Sequence, residues 1–520
     1  MSSTTADQVA PEVLMNAVLG KINDVLLNGD GKVIPKSPDH YFAFLSPGIP
    51  LLNGSFDYAI EGFGGVYRRN DDVTKLHQSV GPNESGETDN STGEGGAAEI
   101  AADVLRKYQS AEAFAAICDL VPDTNGIIDS NLINLWQPET RVSHAYTIAL
   151  QFSQVYDVQI DEETKKKINR WRSLLQSTKK ERDIVNENEV REVIEESELT
   201  KKYREKMLAY YSEAMAYNHL RISALSGKDS SAVHEFAING PIMQLKVQAA
   251  MSDWVSNGFK NDYERINAAI SSVEGRSMAL LKQTFKKDFM RSLLTNPSSG
   301  ANFSYTAPTP ADFAQSQTGW QRFWFNSGSL KSNYKFLSKA SSGGGALSLG
   351  FFTIGGSGGV KSHKIEGKIH SKKFNLTFEM ARVPIYRPGI SLTFLLSKWW
   401  RFDPGNQMYK ATLLSDGERP PKGLMPAIST DCIFVRNLEL TFGESESTFQ
   451  NYLQQVGGSG GLRFGPFFLG GKHKNIKSES DYQVDWTGQG VKIKGLQLIG
   501  FLCYLLPKCP NPNPEIDKWI

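Results

Sequence analysis

The sequence has little excess charge, few cysteines and no long apolar run, and each shortage removes a class of function. Lysine plus arginine (57) nearly balances aspartate plus glutamate (56), a formal net charge of +1 over 520 residues. No global basic field of the kind that general nucleic-acid binding rests on is present, so nucleic acid is not an expected partner. No stretch approaches the roughly 18 to 20 apolar residues of a membrane-spanning helix. The opening MSSTTADQVAPEVLMNAVLG lacks a basic region followed by a continuous apolar segment, so no secretory signal is visible and a cytoplasmic location is expected. Cys118, Cys432, Cys503 and Cys509 are too few and too scattered for a disulfide framework or a zinc site.

Chemistry-bearing motifs are also missing. No phosphate loop and no dinucleotide fingerprint lies between a strand and a helix. GDGK at Gly29 and DTNGIID at Asp123 lack acidic residues at the alternating positions of a calcium loop and read as turns. The eight histidines show no helical ligand spacing; His219 and His234 belong to separate predicted helices, and His363 and His370 lie seven apart on strand-like sequence. GGSGG satisfies the nucleophile-elbow pattern at Ser357 and Ser459, but neither serine stands between an entering strand and a leaving helix. No metal, cofactor or catalytic set is therefore expected.

What is present begins with length, since 520 residues exceed one ordinary core and imply two or three domains. Residues 1–80 carry a helical stripe (Val13, Leu14, Ala17, Val18, Ile22, Val25, Leu26) and then a proline- and aromatic-rich stretch. They read as a short docking helix followed by an extended segment laid over another domain. Residues 81–98, acidic and without large apolar side chains, read as a flexible linker. From 99 to 296 the apolar spacing is helical; its charged middle predicts two long helices broken near Asn186 to Asn188, and Gly240-Pro241 predicts an interrupted helix further on. After a polar connection (297–318), period-two patterns in WQRFWF, HKIEGKIH, FNLTFEMARV, ISLTFLL, CIFVRNLELTF, DYQVDW and VKIKGLQLIGFLCYLL predict strands over 319–506, followed by an extended tail at 507–520. The expected fold is α+β, with a helical domain of long charged helices and a mostly antiparallel, sandwich-like β region of two similar halves.

The duplication rests on one stretch written twice. SGGGALSLGFFTIGGSGG, from Ser342 to Gly359, returns as GGSGGLRFGPFFLGG, from Gly457 to Gly471. Without a gap, Leu347 aligns with Leu462, Gly350 with Gly465, Phe352 with Phe467, and Gly355-Gly356 with Gly470-Gly471. A basic exit follows each copy: Lys361, His363 and Lys364, then Lys472, His473 and Lys474. A polar strand comes next, and then an apolar run ending FLLSK or YLLPK.

Three readings fit these modules. Their glycines mark tight arches around a strand buried on both faces. Alternatively, phenylalanine-rich hairpin tips enter a lipid surface while the lysines meet anionic headgroups. In the third reading the same tips are sticky surface for self-assembly. The expected function is non-enzymatic: contact with an anionic membrane or homo-oligomer formation through Leu349, Phe351, Phe352, Ile354, Phe464, Phe467 and Phe468, with Lys361, Lys364, Lys472 and Lys474 beside them. The competing class is an enzyme or small-ligand binder with dispersed residues between the helical and β regions, its polar groups drawn from the connection between them. Trp320, Trp324, Trp399 and Trp400 read as core, and Arg382 and Arg387 as salt-bridged or solvated strand residues.

Overall fold

A computed structural model describes residues 8–9, 11–52, 54–63, 93–124, 133–135, 138–156, 162–182, 190–225, 230–274, 278–326, 369–370, 373–442, 462–470, 482–487 and 489–520. The fold is α+β. Nine strands make one curled sheet: β1 (His40–Leu51), β2 (Ile133–Leu135), β3 (Ala307–Pro308), β4 (Gln321–Asn326), β5 (Asn375–Tyr386), β6 (Ala427–Thr441), β7 (Gln483–Thr487), β8 (Gly490–Lys494) and β9 (Leu496–Leu505). The long strands run in the order β5–β6–β9–β1, all antiparallel, with β2 added in parallel beside β1. On its outer side β5 carries both β3 and β4. At its far end β6 exchanges β9 for β8, which pairs in turn with β7.

The central strands are buried on both faces, which calls for nearly continuous apolar sequence rather than alternation. In β6, Ile433 and Val435 enter one core while Cys432 and Phe434 enter the other. In β9, Ile499 and Leu502 are divided in the same way from Leu498, Phe501 and Cys503. Register breaks between Thr377 and Glu379, Ser429 and Asp431, Ile433 and Phe434, and Phe44 and Ile49 add local twist that curls the sheet.

Helix α1 (Pro11–Leu27) lies on the first face. Proline at its first position costs no helical hydrogen bond. Expected as a short docking helix, it is a core element instead: Ala17, Val18, Leu19 and Ile22 are each 0% exposed, packed with Phe42, Phe378 and Ile433. The proline-rich segment after it was expected to lie extended over a surface, yet HYFAFLSPGIPL forms β1 inside the sheet. The register jumps from Phe44 to Ile49, so Pro47 falls outside the ladder where its missing N–H does no harm.

The helical region departs from expectation in two places. A helix (Glu162–Leu175) is followed by a hairpin of Gln176–Arg182 with Val190–Glu196, and only then by the long helix α2 (Glu198–Leu225). The hairpin register sets Lys180 opposite Glu192 and Glu181 opposite Arg191. The expected break near Asn186 lies outside the described residues. Ser197 caps α2, its Oγ accepting from the Thr200 N–H at 3.2 Å. Helix α3 (Ser230–Asn257) runs through Pro241 without interruption. Proline removes a single donor there, and packing against α2 through Met207, Tyr210, Val247 and Trp254 holds the inner face.

ISLTFLL, expected as a strand, contains a short helix at Leu392–Leu396, with Ser391 Oγ accepting from the Phe394 N–H at 3.4 Å. The two apolar runs that close the duplicated halves thus differ, since YLL continues β9. β5 and β9 flank β6 on opposite sides.

Candidate functional site

The second glycine module folds as a tight hairpin. Phe464 pairs with Phe467 and Arg463 with Phe468 around a Gly465-Pro466 turn. Gly465 has φ +56°, and a Cβ there would collide with the thioether of Met15 on α1. The hairpin is tied down at both ends. Gly48 N–H donates to the Pro466 carbonyl at 2.8 Å. Phe468 N–H donates to Gln497 Oε1 at 2.9 Å, and the Tyr482 hydroxyl donates to the Phe468 carbonyl at 2.8 Å.

Phe464, Phe467 and Phe468, which the membrane and self-assembly readings place outward and the buried-strand reading places inward, face the core. Phe464 and Phe467 are 0% exposed and Phe468 5%. Their rings stand 5.7 Å from Phe374, 5.2 Å from Phe378 and 5.9 Å from Tyr482 respectively. The apolar content that suggested a surface tip serves instead to fill the space between α1 and the sheet, and the glycine allows the close approach. Leu349, Phe351, Phe352, Ile354, Lys361, Lys364, Lys472 and Lys474 lie outside the described residues.

The arginines singled out in the sequence are occupied by structure. Arg382 forms a two-point ion pair with Asp431, Nε to Oδ1 at 3.0 Å and Nη2 to Oδ2 at 3.3 Å, and its guanidinium lies 4.1 Å from the Tyr211 ring on α2. Burial works to raise the Asp431 pKa, but Arg382 outweighs it and holds the carboxyl below its usual value. Arg387 donates to the Ser429 carbonyl at 2.6 Å and to the Cys118 carbonyl at 2.8 Å. Trp400 is wholly buried and donates to the Leu395 carbonyl at 3.1 Å, whereas Trp320 is covered by the Arg436 guanidinium at 4.1 Å. Among the described residues, no group of three His, Cys, Asp or Glu side chains is placed to hold a metal ion, and no helix is long and apolar enough to cross a membrane.

A half-open pocket of about 400 Å³ lies between the segment after β1, the connection near Ala311 and the end of β6; Leu52, Phe56, Gln315, Arg436, Asn437 and Leu496 contribute to its lining. The Arg436 charge is met by Glu379 at 2.6 Å and by the Ala314 carbonyl at 3.1 Å. The side-chain amides of Gln315 and Asn437 remain as neutral polar groups, and Asn437 adopts φ +53°.

Among the described residues, α3 carries an aligned row of exposed apolar side chains. Its inner stripe of Phe236, Met243, Val247 and Trp254 packs on α2. A second apolar stripe faces outward: Ile238 is 56% exposed, Ile242 54% and Leu245 64%. Steps of four and three place these three on one face of the helix. Sequence reading missed them because the chain carries apolar residues on two faces of α3, and spacing alone does not say which face is covered. No protein-family model matches the chain, and neither a curated protein nor a solved structure matches it.

Proposed function

We propose that this chain is a non-enzymatic assembly protein that associates through the outer face of α3 rather than through its glycine modules. One observation carries the reading: three consecutive large aliphatic residues of one helical face, Ile238, Ile242 and Leu245, are each more than half exposed. Single exposed aliphatics are ordinary, but an aligned row on a long helix marks a contact surface.

Membrane contact through Phe464, Phe467 and Phe468 is disfavoured in this fold. To reach lipid the hairpin would first have to turn three buried phenylalanines out into water, which costs roughly 5 to 9 kcal/mol before the membrane reburies them. That is comparable to the whole stability of an ordinary domain.

Light scattering on a sizing column, run over a dilution series, tests the reading. A mass that rises with concentration supports it, and a monomer throughout refutes it. Flotation with anionic vesicles, run in parallel, identifies lipid as the partner should the protein float while remaining monomeric.

A second reading is supported by the pocket at Gln315 and Asn437, whose lining also carries the Asp57 carboxylate, 3.5 Å from Arg106, and whose volume suits a small polar ligand. Asn437 sits in the left-handed region at the bulge opposite Thr377 and Glu379, a conformation that asparagine tolerates, and this turns its backbone at the pocket. A melting-temperature screen against small polar compounds addresses it, with Asn437→Ala as the control.

A further inference from the structure

We infer that α3 pairs with α3 of a second copy in an antiparallel, two-fold arrangement centred between Gly240 and Pro241; this rests on the assembly reading above and names its partner. The outward stripe of Ile238, Ile242 and Leu245 is flanked by few charges. Glu235 and Lys246, both exposed, lie on the same flank of it, eleven residues apart in sequence. At about 1.5 Å per residue they stand roughly 16 Å apart along the helix.

A two-fold axis perpendicular to two antiparallel helices brings equal flanks together and reverses their order. With the axis midway between positions 235 and 246, Glu235 of each copy meets the partner's Lys246, and the arrangement makes two such contacts. The same axis interleaves the apolar stripes: along the seam, Leu245 of one copy is followed by Ile238 of the other and Ile242 of the first, and the order repeats in reverse beyond the centre. The charge complementarity and the apolar overlap thus select one and the same centre. A parallel two-fold pairing would carry this flank of one copy and the same flank of the other to opposite sides of the seam, so neither Glu235 nor Lys246 would meet its counterpart's opposite charge.

Lipid is the weaker occupant of this face. A helix that lies on an anionic membrane carries a row of lysines and arginines beside its apolar stripe. Here a single lysine is matched by a single glutamate, with His234 at one end of the stripe. A lone helix pair buries an area near the lower end of specific interfaces, so the expected association is weak, on the order of micromolar.

The test is sedimentation velocity of the full chain and of E235K, K246E and Leu245→Ser. Each charge reversal alone places like charges in both contacts, and each is expected to weaken association by roughly tenfold. An equimolar mixture of E235K and K246E restores opposite charges in both contacts of the mixed dimer, and association is expected to return to the wild-type level. L245S removes association while leaving the melting temperature near that of wild type. Wild-type association that neither reversal alters, or that the reversals weaken and mixing does not restore, overturns the antiparallel pairing and leaves the assembly reading standing. A monomeric wild type overturns both. Loss of vesicle flotation in L245S without any change in mass assigns the face to lipid and also overturns the pairing.

Discussion

Met15 fills the space in which a Cβ on Gly465 would have to lie. This contact joins the first helix to the second glycine module, 450 positions later, and explains why the module needs glycine at its turn. Gly465→Ala is expected to cost about 2 to 4 kcal/mol, combining backbone strain at positive φ with overpacking against Met15. Gly31, with φ +73° and nothing within 4 Å of a Cβ, isolates the first contribution. Gly31→Ala is therefore expected to cost only about 1 kcal/mol. Urea denaturation of both variants measures the difference, and equal losses would contradict the steric account.

Phe467→Ala is expected to destabilise the fold by about 3 to 5 kcal/mol through the cavity it leaves. It is expected to leave association unchanged under conditions where the variant remains folded. Denaturation followed by mass measurement separates the two effects, and a variant of full stability that no longer associates would return the module to the surface.

The buried pair Arg382–Asp431 supplies a charge test. Asp431→Ala leaves the guanidinium without its carboxylate and is expected to cost about 3 to 5 kcal/mol, whereas the double variant R382M/D431L is expected to lose less than that single change. Because the Asp431 pKa is held below its ordinary value of 3.8 in the fold, its contribution is present above that value and is lost as pH falls through the folded pKa. Equal destabilisation of single and double variants would show that packing, not the uncompensated charge, sets the cost.

Two groups beside α1 pull in opposite directions with pH. Burial first, opposed by the Asn28 side chain and Arg221, pushes the Asp24 pKa from 3.8 up to about 6. A raised acid contributes stability that is full below pH 3.8 and lost as pH rises through about 6, so Asp24→Asn is expected to stabilise the protein at pH 7 by roughly 1 to 3 kcal/mol and to have little effect at pH 4. His219 is displaced well below 6.5, chiefly by burial and then by the Lys21 cation; Lys21 and His219 share the Trp324 carbonyl, at 2.9 Å and 3.3 Å. Its neutral form stabilises the fold above pH 6.5, and that contribution is lost as pH falls below it. His219→Gln is expected to remove this loss. Melting temperatures from pH 4 to 8 test both signs, and parallel profiles for wild type and H219Q would contradict the second.

Much of the sheet was legible because β6 and β9 are continuous apolar runs that little else than doubly buried strands can use. The duplicated module was visible too, yet its direction was not. Phe464, Phe467 and Phe468 read the same whether a hairpin tip meets lipid or meets α1, and only the distant Met15 decides. The hairpin at Gln176–Arg182 was missed because its sequence, QSTKKER, carries no apolar residue and so no period-two pattern to mark a strand. Pro241 misled for a related reason, as packing against α2 outweighs one lost hydrogen bond. The exposed stripe of α3 was hidden in sequence by the inner stripe on the same helix.

Hydrogen–deuterium exchange at two protein concentrations, one tenfold above the other, tests the central claim most directly. Peptides covering Ile238 to Leu245 are expected to exchange more slowly at the higher concentration while those covering the 462–470 hairpin stay unchanged. Unchanged exchange along α3, or concentration-dependent protection confined to the hairpin, would contradict association through this face.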